Sequence, residues 1–236
     1  MNSRIAVALL TLLVSATLAV PASVGAATSA AKACKTNNTK LGLLTALDCV
    51  AVAEERIGGY VRELFMPNNK WTVYSDKKDT RAKVLIAESL VSVRFSSTGK
   101  TVSTGKWLSL YDGETWTRAS DVDIDHVVAL GEAWRSGAWK WSSSRRKSYA
   151  NDLGVTWTLR AVTDDVNQAK SDDDPTYWLP PLESANCVYL TEWVAVKIRW
   201  KLTVDAEERQ SIRDGWLDAR CFALKEPPVV TVKIAP

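Results

Sequence analysis

The stretch Asp121-Val122-Asp123-Ile124-Asp125-His126-Val127-Val128-Ala129-Leu130 constrains this chain more than any other. β-Branched residues alternate with acids, the pattern of a strand with one apolar and one polar face. The carboxylates at 121, 123 and 125 then share a face. There they repel one another unless a positive group or a divalent cation holds them. The chain has one histidine, His126, directly after Asp125. A lone histidine is commonly structural. A neutral imidazole beside a metal-ligating carboxylate is also the smallest set that can activate water against a phosphodiester.

The first 26 residues read as an export signal. Arg4 gives a short basic start, Ile5 to Val20 is apolar or small, Pro21 ends the run, and Val24-Gly25-Ala26 offers a small-x-small cleavage site. The apolar run is short for a membrane span, so cleavage is favoured over an anchor. No later stretch is apolar enough to span a bilayer, and the expected product is secreted, without stable membrane association. Residues 27–40, rich in Ala, Ser, Thr, Asn and Lys, predict a mobile leader. Residues 41–226 predict one domain, and 227–236 a loose, β-like tail.

The formal charge of +3 falls by one when Arg4 is removed, too little to demand a polyanionic partner. Its distribution is uneven, with bases crowded at 135–147 and acids at 112–125 and 164–174. Four cysteines without Cys-x-x-Cys spacing, and a single histidine, exclude the usual zinc sites. An even number of cysteines in an exported chain predicts two disulfides with three possible pairings. Proximity favours Cys34–Cys49 and Cys187–Cys221.

Hydrophobic spacing predicts helices within 41–65, interrupted at Gly58-Gly59, and over 79–90, 129–139, 185–200 and 205–222. Strands are predicted at 91–95 and 101–110 about a Ser96–Lys100 turn, and at 159–163. A further helix opens at Asp164 and carries Asn167 and Lys170. Most of the 11 tryptophans fall on apolar helix faces and read as core, with Trp157 and Trp178 left open for base stacking.

The order is therefore a strand ending in Asp125-His126, a long insertion, a second strand, and a helix with Asn167. With it go Ile124 to Leu130, Glu132-Ala133-Trp134, Ala150-Asn151-Asp152-Leu153, Ala161-Val162, Asn167-x-x-Lys170, Asp174-Pro175, Trp178-Leu179-Pro180 and Trp193-Val194-x-Val196-Lys197 before Cys221. Upstream stand Gly59-Tyr60-x-Arg62-x-Leu64-Phe65, Asp79-Thr80-Arg81 and Tyr111-Asp112-Gly113. In these segments the chain resembles the exported bacterial branch of the HNH endonuclease superfamily, related to the C-terminal nuclease domain of GmrSD-type restriction enzymes. The resemblance spans roughly 50–221. It implies an α+β fold with a ββα-metal (HNH, or His-Me finger) core at about 121–172, embedded in a mainly helical single domain.

The resemblance also implies roles. Asp125 and Asn167 would ligate a divalent ion, Mg2+ or else Mn2+, and His126 would be the general base. An imidazole near its ordinary pKa of about 6.5 would suit that task. Asn151 would hold His126 through its side-chain carbonyl, although asparagine also suits a helix end. Lys170 would contact phosphate, and Asp123 would support the ligands from behind. Arg145-Arg146-Lys147 either binds phosphates or is a solvated helix face. The implied activity is hydrolysis of DNA with little sequence preference. RNA is the alternative substrate, and a non-catalytic binder of nucleic acid or wall polymer is the rival class. Two departures from the family pattern stand out. A disulfide that relatives carry near Asp79 has no cysteines here, and the glycine expected after Lys170 is Ser171.

Overall fold

The computed structural model describes residues 33–236, so the export signal and residues 27–32 of the leader lie outside the described residues. In chain order the elements begin with β1 (Lys40–Gly42), α1 (Leu43–Leu47), α2 (Thr80–Glu88), β2 (Arg94–Phe95), β3 (Val102–Leu108) and β4 (Thr115–Arg118). Next come β5 (Val122–His126), α3 (Leu130–Arg135), α4 (Ser143–Ala150), β6 (Leu159–Thr163) and α5 (Asp164–Lys170). The chain closes with α6 (Asn186–Trp200), α7 (Ala206–Asp218) and β7 (Val229–Thr231). Helices and strands are mixed, as an α+β fold requires.

α6 is the central post. Its apolar residues run all round the helix, and Tyr189, Trp193, Val196 and Trp200 are all buried in the larger core. Asp205 starts the neighbouring α7 by accepting the Glu208 amide at 2.8 Å. Cys187 and Cys221 are joined, with Cα atoms 5.5 Å apart, and tie the start of α6 to the segment after α7. A smaller core gathers Val84 and Leu85 of α2, Trp107 of β3, Val122 and Ile124 of β5, and Ala161 of β6. α2 reaches it because Asp79 caps the helix, accepting the Ala82 amide at 2.8 Å. β2, β3 and β4 form an antiparallel meander.

β5 and β6 pair antiparallel, with Asp123 opposite Val162 and Asp125 opposite Arg160. α5 follows β6 without a connecting residue and packs on both strands. Alternation along β5 sends Val122 and Ile124 into the smaller core and turns Asp123 and Asp125 the other way, toward α5.

Three expectations change. The segment expected to be helical over 41–65 forms only α1 and a single turn at Arg62–Leu64, because the polar run 54–56 and two left-handed glycines break it. The described end of the leader and the tail are not loose. β1 pairs with β7, Val230 and Val232 are buried, and a second disulfide joins Cys34 to Cys49. Each short segment satisfies backbone groups through the other, with Leu41 opposite Val230. Asp121 is not on the strand. It ends a turn of 3-10 helix and pairs with Arg118 at 2.9 Å, so two acids, not three, share the β5 face.

Candidate active site

Asp123, Asp125, His126 and Asn167 line one cleft of about 620 Å³ between the β5–α5 unit and the segments around Tyr60 and Trp71. Strand periodicity aims both acids at α5, and helical periodicity places Asn167 and Lys170 one turn apart to meet them. Asn167 donates from Nδ2 to Asp123 at 3.0 Å, and Lys170 donates from Nζ to Asp125 at 2.9 Å.

Asp125 is buried. One of its oxygens accepts from Lys170, and the other accepts from the Tyr111 hydroxyl at 2.6 Å. Burial pushes its pKa up, while the Lys170 charge and the Tyr111 hydrogen bond pull it back. Each oxygen keeps a further lone pair for another partner.

His126 is buried at the end of β5. Its ring stacks on Trp71, with centroids 5.5 Å apart and planes 14° apart, and on Tyr149 at 6.1 Å. Nε2 lies 2.9 Å from the carbonyl of Ala150. A carbonyl only accepts, so Nε2 carries the proton and Nδ1 holds the lone pair. Burial pushes the pKa of the ring down to about 3, and the Arg62 and Lys170 charges push the same way. The expectation of an imidazole near its ordinary pKa is thereby corrected: it is held neutral across the physiological range, always able to accept a proton but a weaker base.

Other expected site residues stand elsewhere. The side-chain oxygen of Asn151 does not reach His126. It accepts from the Thr72 amide at 2.9 Å and from Thr80 Oγ1 at 2.6 Å. The residue ends α4, so its backbone neighbour Ala150 presents the carbonyl to the ring. Lys170 is fully buried, and its donors go to Asp125 and the His126 carbonyl, which leaves no route to a phosphate. Arg145 and Arg146 are anchors of the fold. Arg145 donates to the Trp200 carbonyl at 3.2 Å and lies over the Trp141 ring, and Arg146 donates to the carbonyls of Leu64 and Trp141. Neither lines the cleft. Trp178 packs edge-on against Tyr111 and Tyr189, and Trp157 packs against the larger core.

Sequence reasoning gave no role to Trp71, Tyr111, Arg62 or Arg81. The last three lie in segments that carried the family resemblance, and that was the available signal. Trp71 lies in none of them, and only the fold brings it onto His126.

Ser171 directly follows Lys170 with φ +52 and ψ −126. A side chain is strained in that conformation and glycine is not. Ser171→Gly is expected to raise stability by about 1 kcal/mol, read as a higher urea midpoint at unchanged slope. A lower midpoint would show that the serine hydroxyl contributes more than the strain costs.

Among the described residues, the one group of three or more acidic, histidine or cysteine ligand atoms within 4.8 Å of one another is Glu55, Glu132 and Asp174. It lies outside the cleft lining, and Lys197 and Arg135 already form ion pairs there, to Glu132 and Glu55. The cleft offers a sparser set: the carboxylate of Asp125 and the side-chain oxygen that Asn167 keeps once its nitrogen is bound to Asp123. An all-oxygen set with one or two carboxylates suits Mg2+, which keeps several waters and takes further oxygens from phosphate.

Residues 63–214 match the family model described as GmrSD restriction endonucleases, C-terminal domain. A relative from Arthroderma benhamiae, named only as an uncharacterized secreted protein, is 46% identical over 154 residues, which is 65% of this chain and 72% of that protein. That relative is fungal, so the comparisons support the family and not a bacterial branch of it. No solved structure matches. On a match that covers most of the chain and includes the whole β5–β6–α5 unit, the chain belongs to the family of GmrSD restriction endonuclease C-terminal domains.

Proposed function

We propose that this chain is a secreted, metal-dependent endonuclease that hydrolyses phosphodiester bonds of DNA with little sequence preference, built on a ββα-metal core. The observation that carries the reading is the convergence on one cleft of Asp125, Asn167 and a His126 ring whose Nδ1 is held unprotonated. Family membership makes a nucleic acid the expected substrate. Two disulfides and a secreted relative support export.

Asp125 and Asn167 would hold the ion, and Asp123 would fix the amide orientation of Asn167. When bound, the ion supplies positive charge against the phosphate and the leaving oxygen. His126 Nδ1 takes a proton from the attacking water, while the Ala150 carbonyl on Nε2 and the Trp71 and Tyr149 rings keep the imidazole in place. Tyr111 and Lys170 each bond one oxygen of Asp125 and so fix the orientation of its carboxylate. The side chains that line the cleft come from several separate segments and not from one helix or ribbon, which favours contact with phosphate over base reading.

Metal removal tests the reading. Purified protein dialysed against EDTA is expected to leave supercoiled plasmid intact and to nick it once Mg2+ or Mn2+ is restored. Parallel assays with single-stranded DNA and RNA rank the substrates. Cleavage that persists in EDTA, or no cleavage of any nucleic acid with either metal, defeats the proposal.

A further inference from the structure

With Lys170, Arg145 and Arg146 engaged elsewhere, the cleft needs another cation to receive an anionic substrate. Two arginines line it, Arg62 and Arg81. Arg81 is largely committed, because its Nη2 donates to the carbonyls of Ala119 at 2.7 Å and Val122 at 2.6 Å. Arg62 differs. It is exposed, and its guanidinium makes no hydrogen bond or ion pair with any described residue.

The backbone explains how Arg62 comes to stand there. Gly58 and Gly59 both take left-handed φ, +74 and +77, and turn the chain across the cleft wall. The Gly58 carbonyl is pinned by the Trp134 indole at 3.0 Å. A Cβ on Gly59 would fall 3.6 Å from that same indole, so the turn rests directly on α3. Phe65, buried against Tyr149 at 6.1 Å, anchors the far side of the short helical turn that carries Arg62. Arg62 is thus held at both flanks while its charged end stays unpaired. Arg62 lines the same cleft as the proposed base, His126, and the Asp125 carboxylate. An unpaired guanidinium is suited to bidentate contact with phosphate oxygens.

We infer that Arg62 is the phosphate-gripping residue of this site, contacting a nonbridging oxygen of the phosphodiester presented to His126. This assignment rests on the nuclease reading for what happens after binding, but the binding itself can be measured without turnover. Arg62 then belongs to the substrate-binding machinery, and Arg81 contributes a fixed positive field behind it.

The test uses the full exported chain and a fluorescein-labelled DNA oligonucleotide in EDTA, with affinity read by anisotropy across a salt series. Arg62→Ala is expected to weaken binding about ten- to a hundredfold, the loss typical of a hydrogen-bonded charge contact. It should also reduce the slope of log affinity against log salt by about 0.7–0.9, the counterion equivalent of one phosphate contact. Arg62→Lys, which keeps the charge and loses the fork, should recover the slope and only part of the affinity. Lys100→Ala, which removes an equal charge from the exposed turn between β2 and β3, should change neither beyond about twofold. Plasmid nicking is measured on the same proteins.

Equal affinity and slope for Arg62→Ala and the wild type overturns the assignment, whether or not the wild type nicks DNA. So does an equal loss in Lys100→Ala, which would indicate diffuse charge only, and so does a wild type that binds no oligonucleotide. Binding that depends on Arg62 in a protein that never cleaves upholds the assignment and rejects the nuclease reading.

Discussion

Replacing His126 by alanine is expected to lower Mg2+-supported plasmid nicking by about two to four orders of magnitude, the contribution of a positioned general base. Among the cleft-lining side chains the imidazole is the one nitrogen base, oriented through Nε2 by the Ala150 carbonyl and with its Nδ1 lone pair left to accept a proton. Asp123 and Asp125 also line the cleft, but both are engaged by α5, and Asp125 is shielded by Lys170 and Tyr111. Alanine leaves a gap between Trp71 and Tyr149, so loss of activity alone would not separate chemistry from folding. His126→Gln fills more of that gap and supplies no comparable base. Both variants should keep the near-ultraviolet circular dichroism of the wild type and both should lose nicking. Activity within tenfold of wild type in a folded His126→Gln protein would remove His126 from the reaction.

The second large effect is on stability. Lys170→Ala is expected to cost about 3–5 kcal/mol, because it strands a buried carboxylate without its counter-charge. Both partners are almost wholly inaccessible, with side-chain exposures of 0% for Lys170 and 5% for Asp125, so water cannot replace the lost ammonium. Lys170 also donates to the His126 carbonyl at 3.1 Å and so joins α5 to the end of β5. Urea unfolding measures the loss. Lys170→Met combined with Asp125→Asn should recover much of it, since no lone charge is left behind. A cost below about 1 kcal/mol for the single variant would mean that the pair is far more hydrated than its burial indicates.

These two predictions mark what was legible in the sequence. The alternation of apolar and acidic residues identified the strand at 122–126, and the dipeptide Asp125-His126 pointed to residues that the fold places in one cleft. Helical spacing found α2, α6 and α7, because their apolar faces repeat and Asp79 and Asp205 cap two of them. Register was not legible. Only the antiparallel pairing of β5 with β6 sets α5 so that Lys170 meets Asp125 and Asn167 meets Asp123. A lysine four elements further along the chain reads as a phosphate contact until the fold buries it.

The partner of His126 was missed for a related reason. The sequence offered the side chain of Asn151, whereas the contact comes from the backbone of Ala150, and any residue type can present a carbonyl. The arginines at 145 and 146 were misplaced because charge density along a chain does not reveal how many carbonyls the fold will aim at it. Arg62 shows the reverse. It stands alone in sequence and becomes notable only because, in the fold, it lines the cleft without a hydrogen bond or ion pair to any described residue.

The central claim is that a divalent ion sits in the cleft between Asp125 and Asn167, beside His126. Crystals of the protein soaked in Mn2+ and measured at an anomalous wavelength test it most directly. The account predicts one strong anomalous peak roughly 2.1 Å from a carboxylate oxygen of Asp125 and from the side-chain oxygen of Asn167, with the His126 ring alongside. A cleft without a peak, or a peak only among Glu55, Glu132 and Asp174, would contradict it.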